Sequence, residues 1–261
     1  MRGDKDHLTP TSFLSNVACQ SDGARHVSHT LQIFAEIQRN ADQHGFLVIV
    51  DETVGNFVNT TILQYADVVC TSLSKLFNGS ANVLGGSLVI NPDSRHYESI
   101  RNHLVETFIN FYSEDVVVME NSRDFVSRIR TINANAMAAA DLLRSPSLSF
   151  QTQPCATLIV IKDAAFRGLE QFRILSLIKI CVCGRIVSVY DPLQCVKALM
   201  IGSDFTLAIP YAILAHFREL EVVKKYGIDE TMVRLSVGTE ELDVIMGYIR
   251  NAPEVAEKTL D

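Results

Sequence analysis

The sequence predicts an α/β fold followed by a smaller α+β unit, and three observations carry that prediction. Leu31, Phe34, Ile37 and Ala41 recur at helical spacing and lead straight into an unbroken apolar run over 46–50, a helix-to-strand step. Short apolar runs at 67–71 and 87–90 are set off by turn-forming pairs, Asn78-Gly79 and Gly85-Gly86, and read as further strands. Long helical patterns then occupy about 94–110 and 122–144 before Pro146 interrupts the chain. Short unbroken strands of this kind suit a sheet covered on both faces.

Taken in order, residues 1–30 contain Pro10, Gly23 and four serines without a hydrophobic period, and are expected to be disordered or poorly packed. Gly45 stands where a left-handed cap would end the first helix. The helix over 122–144 runs through Ala136 and Ala140, and Pro146 is the expected hinge between a larger unit at 31–145 and a smaller one at 146–261. Beyond the hinge, 156–161 reads as strand, 192–200 as helix, 232–237 as strand, and a last helix starts near Glu240.

Composition narrows the class. With 261 residues and 48% hydrophobic content the chain can build a substantial core. Its most apolar stretch, 174–189, is broken by Lys179 and Arg185, so no membrane span is expected and cytoplasmic residence is the default. A net charge of −7 without a basic run argues against nucleic acid and anionic membrane partners. The six cysteines form no CxxC pair, which points to reduced thiols rather than a zinc site or disulfide framework. The histidines, His216 among them, lack metal-ligand spacing, and no metal is expected.

The chemistry centres on two residues. The run at 46–50 ends in Asp51, and Lys75 follows 24 positions later (75 − 51) within Thr71-Ser72-Leu73-Ser74-Lys75. Each feature alone is ordinary, because acids often end α/β strands and lysines often occupy Ser-rich turns. Together they match what pyridoxal phosphate (PLP) requires of a protein. A carboxylate beside the pyridine nitrogen keeps it protonated, and an amine that is neutral part of the time condenses with the aldehyde. Asp51 and Lys75 would fill those roles, with the Ser72 and Ser74 hydroxyls donating to the phosphate.

Longer stretches then carry a resemblance. Val50-Asp51-Glu52-Thr53-Val54-Gly55-Asn56-Phe57, Tyr65-Ala66-Asp67-Val68-Val69, Ser72-Leu73-Ser74-Lys75, Gly85-Gly86-Ser87, Asn121-Ser122-Arg123-Asp124-Phe125, Pro210-Tyr211-Ala212 and Val233-Arg234-Leu235-Ser236-Val237-Gly238 occur in sequence. In order and spacing they resemble the PLP-dependent enzymes of cysteine and methionine metabolism, most closely the fungal type of cystathionine gamma-synthase. The resemblance covers about 31–145 and 190–250. It implies PLP-dependent fold type I, the aspartate aminotransferase-like fold, as a partial large domain plus the smaller C-terminal domain. It implies Lys75 as the catalytic amine, Asp51, Ser72, Ser74 and Lys75 as cofactor-binding residues, and Arg234 and Thr206 as substrate-binding residues. Arg234 would fork onto an amino acid's α-carboxylate, a bidentate task that lysine performs less well.

The implied reaction is gamma-replacement on an activated homoserine ester by cysteine to give cystathionine, a step of methionine biosynthesis, in a homodimer or homotetramer. Two alternatives stay open: a carbon–sulfur lyase of the same family, and a truncated remnant without catalysis. The chain departs from the family in three places. Residues 1–30 show neither a phosphate-cradling helix start nor a ring-stacking aromatic, 146–189 match only loosely, and Met200 stands where relatives carry serine. The expectation is therefore the C-terminal part of such an enzyme.

Overall fold

The computed structural model describes residues 23–59, 61–107, 112–143, 177–181, 190–225 and 230–258. Pro146 and the expected strand at 156–161 lie outside them. The first helix, α1 (Gly23–His44), begins earlier than its sequence period indicates. Phe34, Ile37 and Ala41 face a core shared with Val48, Ile62, Ala66 and Val69, and Phe34 stacks on Tyr65 with ring centroids 6.0 Å apart. Gly45, at φ 73°, stops the helix, and its N–H and that of Phe46 return to the Ala41 carbonyl.

Three strands form the first sheet in the order β1 (Ile49–Asp51), β2 (Val68–Ser72), β3 (Gly86–Ile90). β1 runs parallel to β2 with Asp51 opposite Cys70, and β3 runs antiparallel with Ser87 opposite Thr71. Asp67 sets the β1–β2 register by accepting the Val48 N–H at 2.8 Å on its carboxylate while its own N–H reaches the Val48 carbonyl at 2.9 Å. The expectation of a sheet covered on both faces holds for β2 and not for its neighbours. Val68 and Val69 are buried, whereas Ile49 is 61% and Leu88 48% exposed. Among the described residues, only the middle strand has a pairing partner on each side.

The helical expectation at 94–110 and 122–144 resolves into α2 (Tyr97–Thr107), α3 (Ser113–Asn121) and α4 (Phe125–Leu143). Helix α4 serves two cores. Phe125, Ile129 and Ile132 pack on Leu76 of the loop after β2. Ala136, Ala139, Ala140 and Leu143 pack against Val233, Leu235, Ile245 and Ile249 of the second sheet and its helix. The alanines remove side-chain bulk where helix and sheet approach, so the turn of the helix that loses apolar area gains proximity.

The second sheet has the order β4 (Leu177–Cys181), β7 (Met232–Ser236), β6 (Leu207–Pro210), β5 (Val196–Lys197). Short helices α5 (Tyr211–His216) and α6 (Leu220–Lys224) follow β6, and α7 (Leu242–Lys258) closes the described chain. The helix expected at 192–200 is corrected to turn and strand. Leu193 and Cys195 are buried while Gln194 and Val196 are exposed, a period of two, and the Val196 N–H donates to the Thr206 carbonyl at 3.3 Å. Pairing with β6 outweighs local helix preference there. Among the described residues no helix is long and apolar enough to cross a membrane.

Candidate functional site

Asp51 stands at the C-terminal end of β1 and Ser72 at that of β2, the edge where open α/β sheets receive ligands. Thr53 ties the two ends together. Its N–H and its hydroxyl donate to Asp51 Oδ1 at 2.9 and 2.6 Å, and the hydroxyl oxygen accepts the Ser72 N–H at 2.9 Å. Asp51 Oδ2 takes no partner among the described residues. The following turn is held tightly. Glu52, 5% exposed, receives the Phe57 N–H on Oε1, and Asn56 and Phe57 adopt φ values of 52° and 57°. Asn59 and Asn133 exchange amide hydrogen bonds at 2.8 and 3.3 Å, fastening this turn to α4.

An open cleft of about 510 Å³ adjoins this edge, with Asp51, Thr53, Thr71, Ser72, Ser87 and Leu104 among its walls. Its volume lies in the range of small-molecule sites. The Thr71 and Ser87 hydroxyls, opposite each other across the sheet, are buried and lack partners among the described residues. Buried hydroxyls without partners are costly, and a ligand with acceptor oxygens would satisfy both. Cys70, also in the cleft, has its thiol pushed above the usual range by burial first and by the Asp51 charge second.

Lys75 and Ser74 are placed differently. The Ser74 hydroxyl donates to the Gly85 carbonyl at 3.2 Å and accepts the Gly85 N–H at 2.8 Å, pinning the ends of the loop that joins β2 to β3. It reaches a phosphate only by releasing the carbonyl. Lys75 does not line the cleft and instead packs toward the second sheet. A methyl group at Gly202 would fall 3.1 Å from Lys75 Cβ and 2.7 Å from the Leu76 nitrogen, so the 200–206 loop packs directly on the lysine's backbone.

That loop also meets Arg234. Arg234 on β7 is half-buried, and burial lowers its pKa against the opposing influence of Tyr211. Its Nη2 reaches only the Met200 carbonyl, at 3.4 Å, and its Nε has no partner. Among the described residues no carboxylate pairs with it. Tyr211 lies beneath, with the guanidinium carbon 4.7 Å from the ring centroid. The Tyr211 hydroxyl contacts His216 Nε2 at 3.1 Å, and His216 Nδ1 contacts Glu219 at 2.6 Å. His216 is thus a structural histidine that holds the platform under Arg234. Thr206, 2% exposed, points elsewhere: its hydroxyl donates to Glu240 at 2.8 Å and accepts the Gly238 N–H at 3.0 Å.

The donor set fits PLP. An acid with a free oxygen, hydroxyls without partners and an unpaired guanidinium are what a ring nitrogen, a phosphate and a carboxylate would meet. Sequence reasoning passed over Thr53 and Tyr211. Their roles rest on contacts made after folding, although the threonine two residues beyond an acid is a recognisable turn signal. Among the described residues no three His, Cys, Asp or Glu side chains gather as a metal site.

Comparison with known proteins agrees with the fold. A sequence model of the Cys/Met metabolism PLP-dependent enzymes matches residues 29–253. A cystathionine gamma-synthase-like enzyme of Amanita muscaria is 38% identical over 246 residues, covering 84% of this chain and 38% of that protein. The cystathionine gamma-synthase of Neurospora crassa is 38% identical over 232 residues, covering 85% and 36%. The crystal structure of a cystathionine gamma-lyase from Micromonospora echinospora superposes with a TM-score of 0.70 at 21% identity, covering 85% of this chain and 59% of that one. The chain therefore spans under two-fifths of the length of these two fungal relatives.

Proposed function

Because this chain belongs to the Cys/Met metabolism PLP-dependent enzymes, we propose that it carries the lysine and carboxylate-binding part of a transsulfuration site. The reaction is gamma-replacement, in which the thiol of cysteine displaces the γ-substituent of an activated homoserine ester to give cystathionine. The names of the fungal relatives support this choice over other outcomes in the family. Bound PLP supplies an electron sink for charge developing at the substrate's α-carbon. The chain's own residues do the rest. Asp51 would keep the ring nitrogen protonated through its free oxygen, while Thr53 fixes the other carboxylate oxygen. Ser72 would donate to phosphate oxygens. Lys75 would hold the cofactor, and its amine would carry the proton between the α and β carbons. Arg234 grips the α-carboxylate, and Thr206 braces the strand that presents it.

The observation that carries the reading is Arg234, a half-buried cation with no carboxylate partner among the described residues, on a strand whose neighbouring loop rests on Lys75. Burying an unpaired charge is expensive, and an anionic substrate would offset that cost. The test is to incubate the chain with PLP, fix the adduct in one portion with borohydride and locate it by peptide mass mapping, and to supply a second, unreduced portion with an O-acylhomoserine and cysteine. Pyridoxyl on Lys75 with cystathionine formed supports the reading. Pyridoxyl on Lys75 with an α-keto acid as the only product turns it into a lyase. Label on another lysine removes Lys75 from the role.

A second reading is a fold remnant without catalysis. Lys75 lies outside the cleft that Asp51 lines, which favours it. Label on Lys75 without any product would support that reading.

A further inference from the structure

Arg128 is the most heavily engaged side chain near Lys75. Its guanidinium is 3% exposed, and Nη2 donates to the Phe77 carbonyl at 2.7 Å and the Leu76 carbonyl at 3.4 Å, two residues and one residue beyond the lysine. Both terminal nitrogens also reach the Asn121 carbonyl at 3.2 Å, and Asp124 pairs with the group from one turn earlier in the chain. Nε contacts Asp204 Oδ1 at 3.1 Å, an ion pair across from the second sheet that is not aligned as a hydrogen bond.

Asp204 is itself anchored to the same loop. Its N–H donates to the Gly79 carbonyl at 2.9 Å beside a parallel bridge between Gly79 and Ser203. Gly79 has φ 74°, and a methyl group there would fall 2.1 Å from Asp204 Oδ1 and 2.8 Å from the Arg128 guanidinium. The contact therefore requires glycine on both steric and conformational grounds. On its far side the 200–206 loop connects to the carboxylate-binding strand, because the Gly202 N–H donates to Ser236 Oγ at 3.1 Å and the Met200 carbonyl takes Arg234.

We infer that Arg128 and Asp204 are positioning residues that latch the 73–79 loop onto the 200–206 loop and so set where the Lys75 amine stands relative to Arg234. The inference rests on the reading of Lys75 and Arg234 given above. The half-buried Asp204 carboxyl has its pKa raised by burial first and by Asp124, against Arg128 and a Ser80 hydrogen bond. Its charge is thus dearly held, which fits a contact kept for geometry rather than for stability.

Hydrogen exchange by mass spectrometry on the whole chain, compared among wild type, Asp204→Asn, Asp204→Glu and Arg128→Met, tests the latch. In Asp204→Asn, amides of 73–80 and 200–206 should exchange up to roughly fivefold faster, the factor expected for a partly exposed ion pair, while those of α7 and β4 hold steady. Borohydride-fixed pyridoxyl on Lys75 should fall by a similar factor, and Asp204→Glu should recover part of both. Should Arg128→Met fail to fold, Asp204→Asn, whose side chain is 36% exposed, still decides the matter. Unchanged exchange in both loops, or a uniform rise across the chain, overturns the latch. Wild-type label on a lysine other than Lys75 removes the functional reading and with it the positioning role. That outcome is distinguishable, because the exchange measurement uses no cofactor.

Discussion

Thr53 joins Asp51 to the neighbouring strand: one hydroxyl donates to Asp51 Oδ1 at 2.6 Å and accepts the Ser72 N–H at 2.9 Å. Thr53→Val keeps the shape and removes both bonds. The Ser72 amide should then exchange about fivefold faster, consistent with roughly 1 kcal/mol for one hydrogen bond, while Thr53→Ser stays close to wild type. Equal Ser72 protection in the valine variant would show that the bridge contributes nothing.

Asp51 should also be detectable through Cys70, its partner across the β1–β2 pair. The Cys70 thiol is raised by burial and then by the Asp51 charge, so its pH profile of alkylation by iodoacetamide should lie above that of a free thiol. Asp51→Asn removes the second cause. At a given pH the thiolate fraction rises, and the profile moves down in pH without reaching the free-thiol position, because burial remains. Peptide mapping isolates Cys70 from the other thiols, and an unmoved profile would mean that the charge is not felt there.

The platform under Arg234 makes a separate prediction. Tyr211→Leu deletes a ring contact worth about 0.5–2 kcal/mol, so modification of Arg234 by phenylglyoxal should speed up several-fold. Tyr211→Phe keeps the ring and should change the rate little. If both variants react alike, the His216 contact to the hydroxyl, and not the ring, orients the guanidinium.

Helix α4 supplies a stability prediction. Ile132, 1% exposed between the lysine loop and the helix, should cost about 2–5 kcal/mol as Ile132→Ala. Val126→Ala, at a 46% exposed position, should shift stability by about 0.5 kcal/mol or less. Denaturant midpoints measured on both variants compare the two directly, and similar shifts would contradict the packing described for this helix.

Features that depend on local chain geometry are legible in the sequence. The period of Phe34, Ile37 and Ala41 and the cap at Gly45 put a helix ahead of β1, and the longer family-like stretches around Asp51 and Lys75 mark them as a candidate pair. Local signals fail at 192–200, where a stretch opening on Pro192 and without strong preference takes strand geometry from β6. They also give no indication that Ser74 and Thr206 spend their hydroxyls on Gly85 and Glu240.

The sequence by itself determined the family and the order of most elements, and it singled out Asp51, Lys75 and Arg234 as candidates. These are properties of residue type and spacing along the chain. The tertiary structure alone decided that Arg128 grips the carbonyls beyond Lys75 and that Asp204 meets it from the second sheet. It also decided that Arg234 is half-buried without a carboxylate partner among the described residues. Hydrogen bonds and ion pairs act over about 3 Å, and which distant side chains come within that reach is set by how α4 and the two sheets pack.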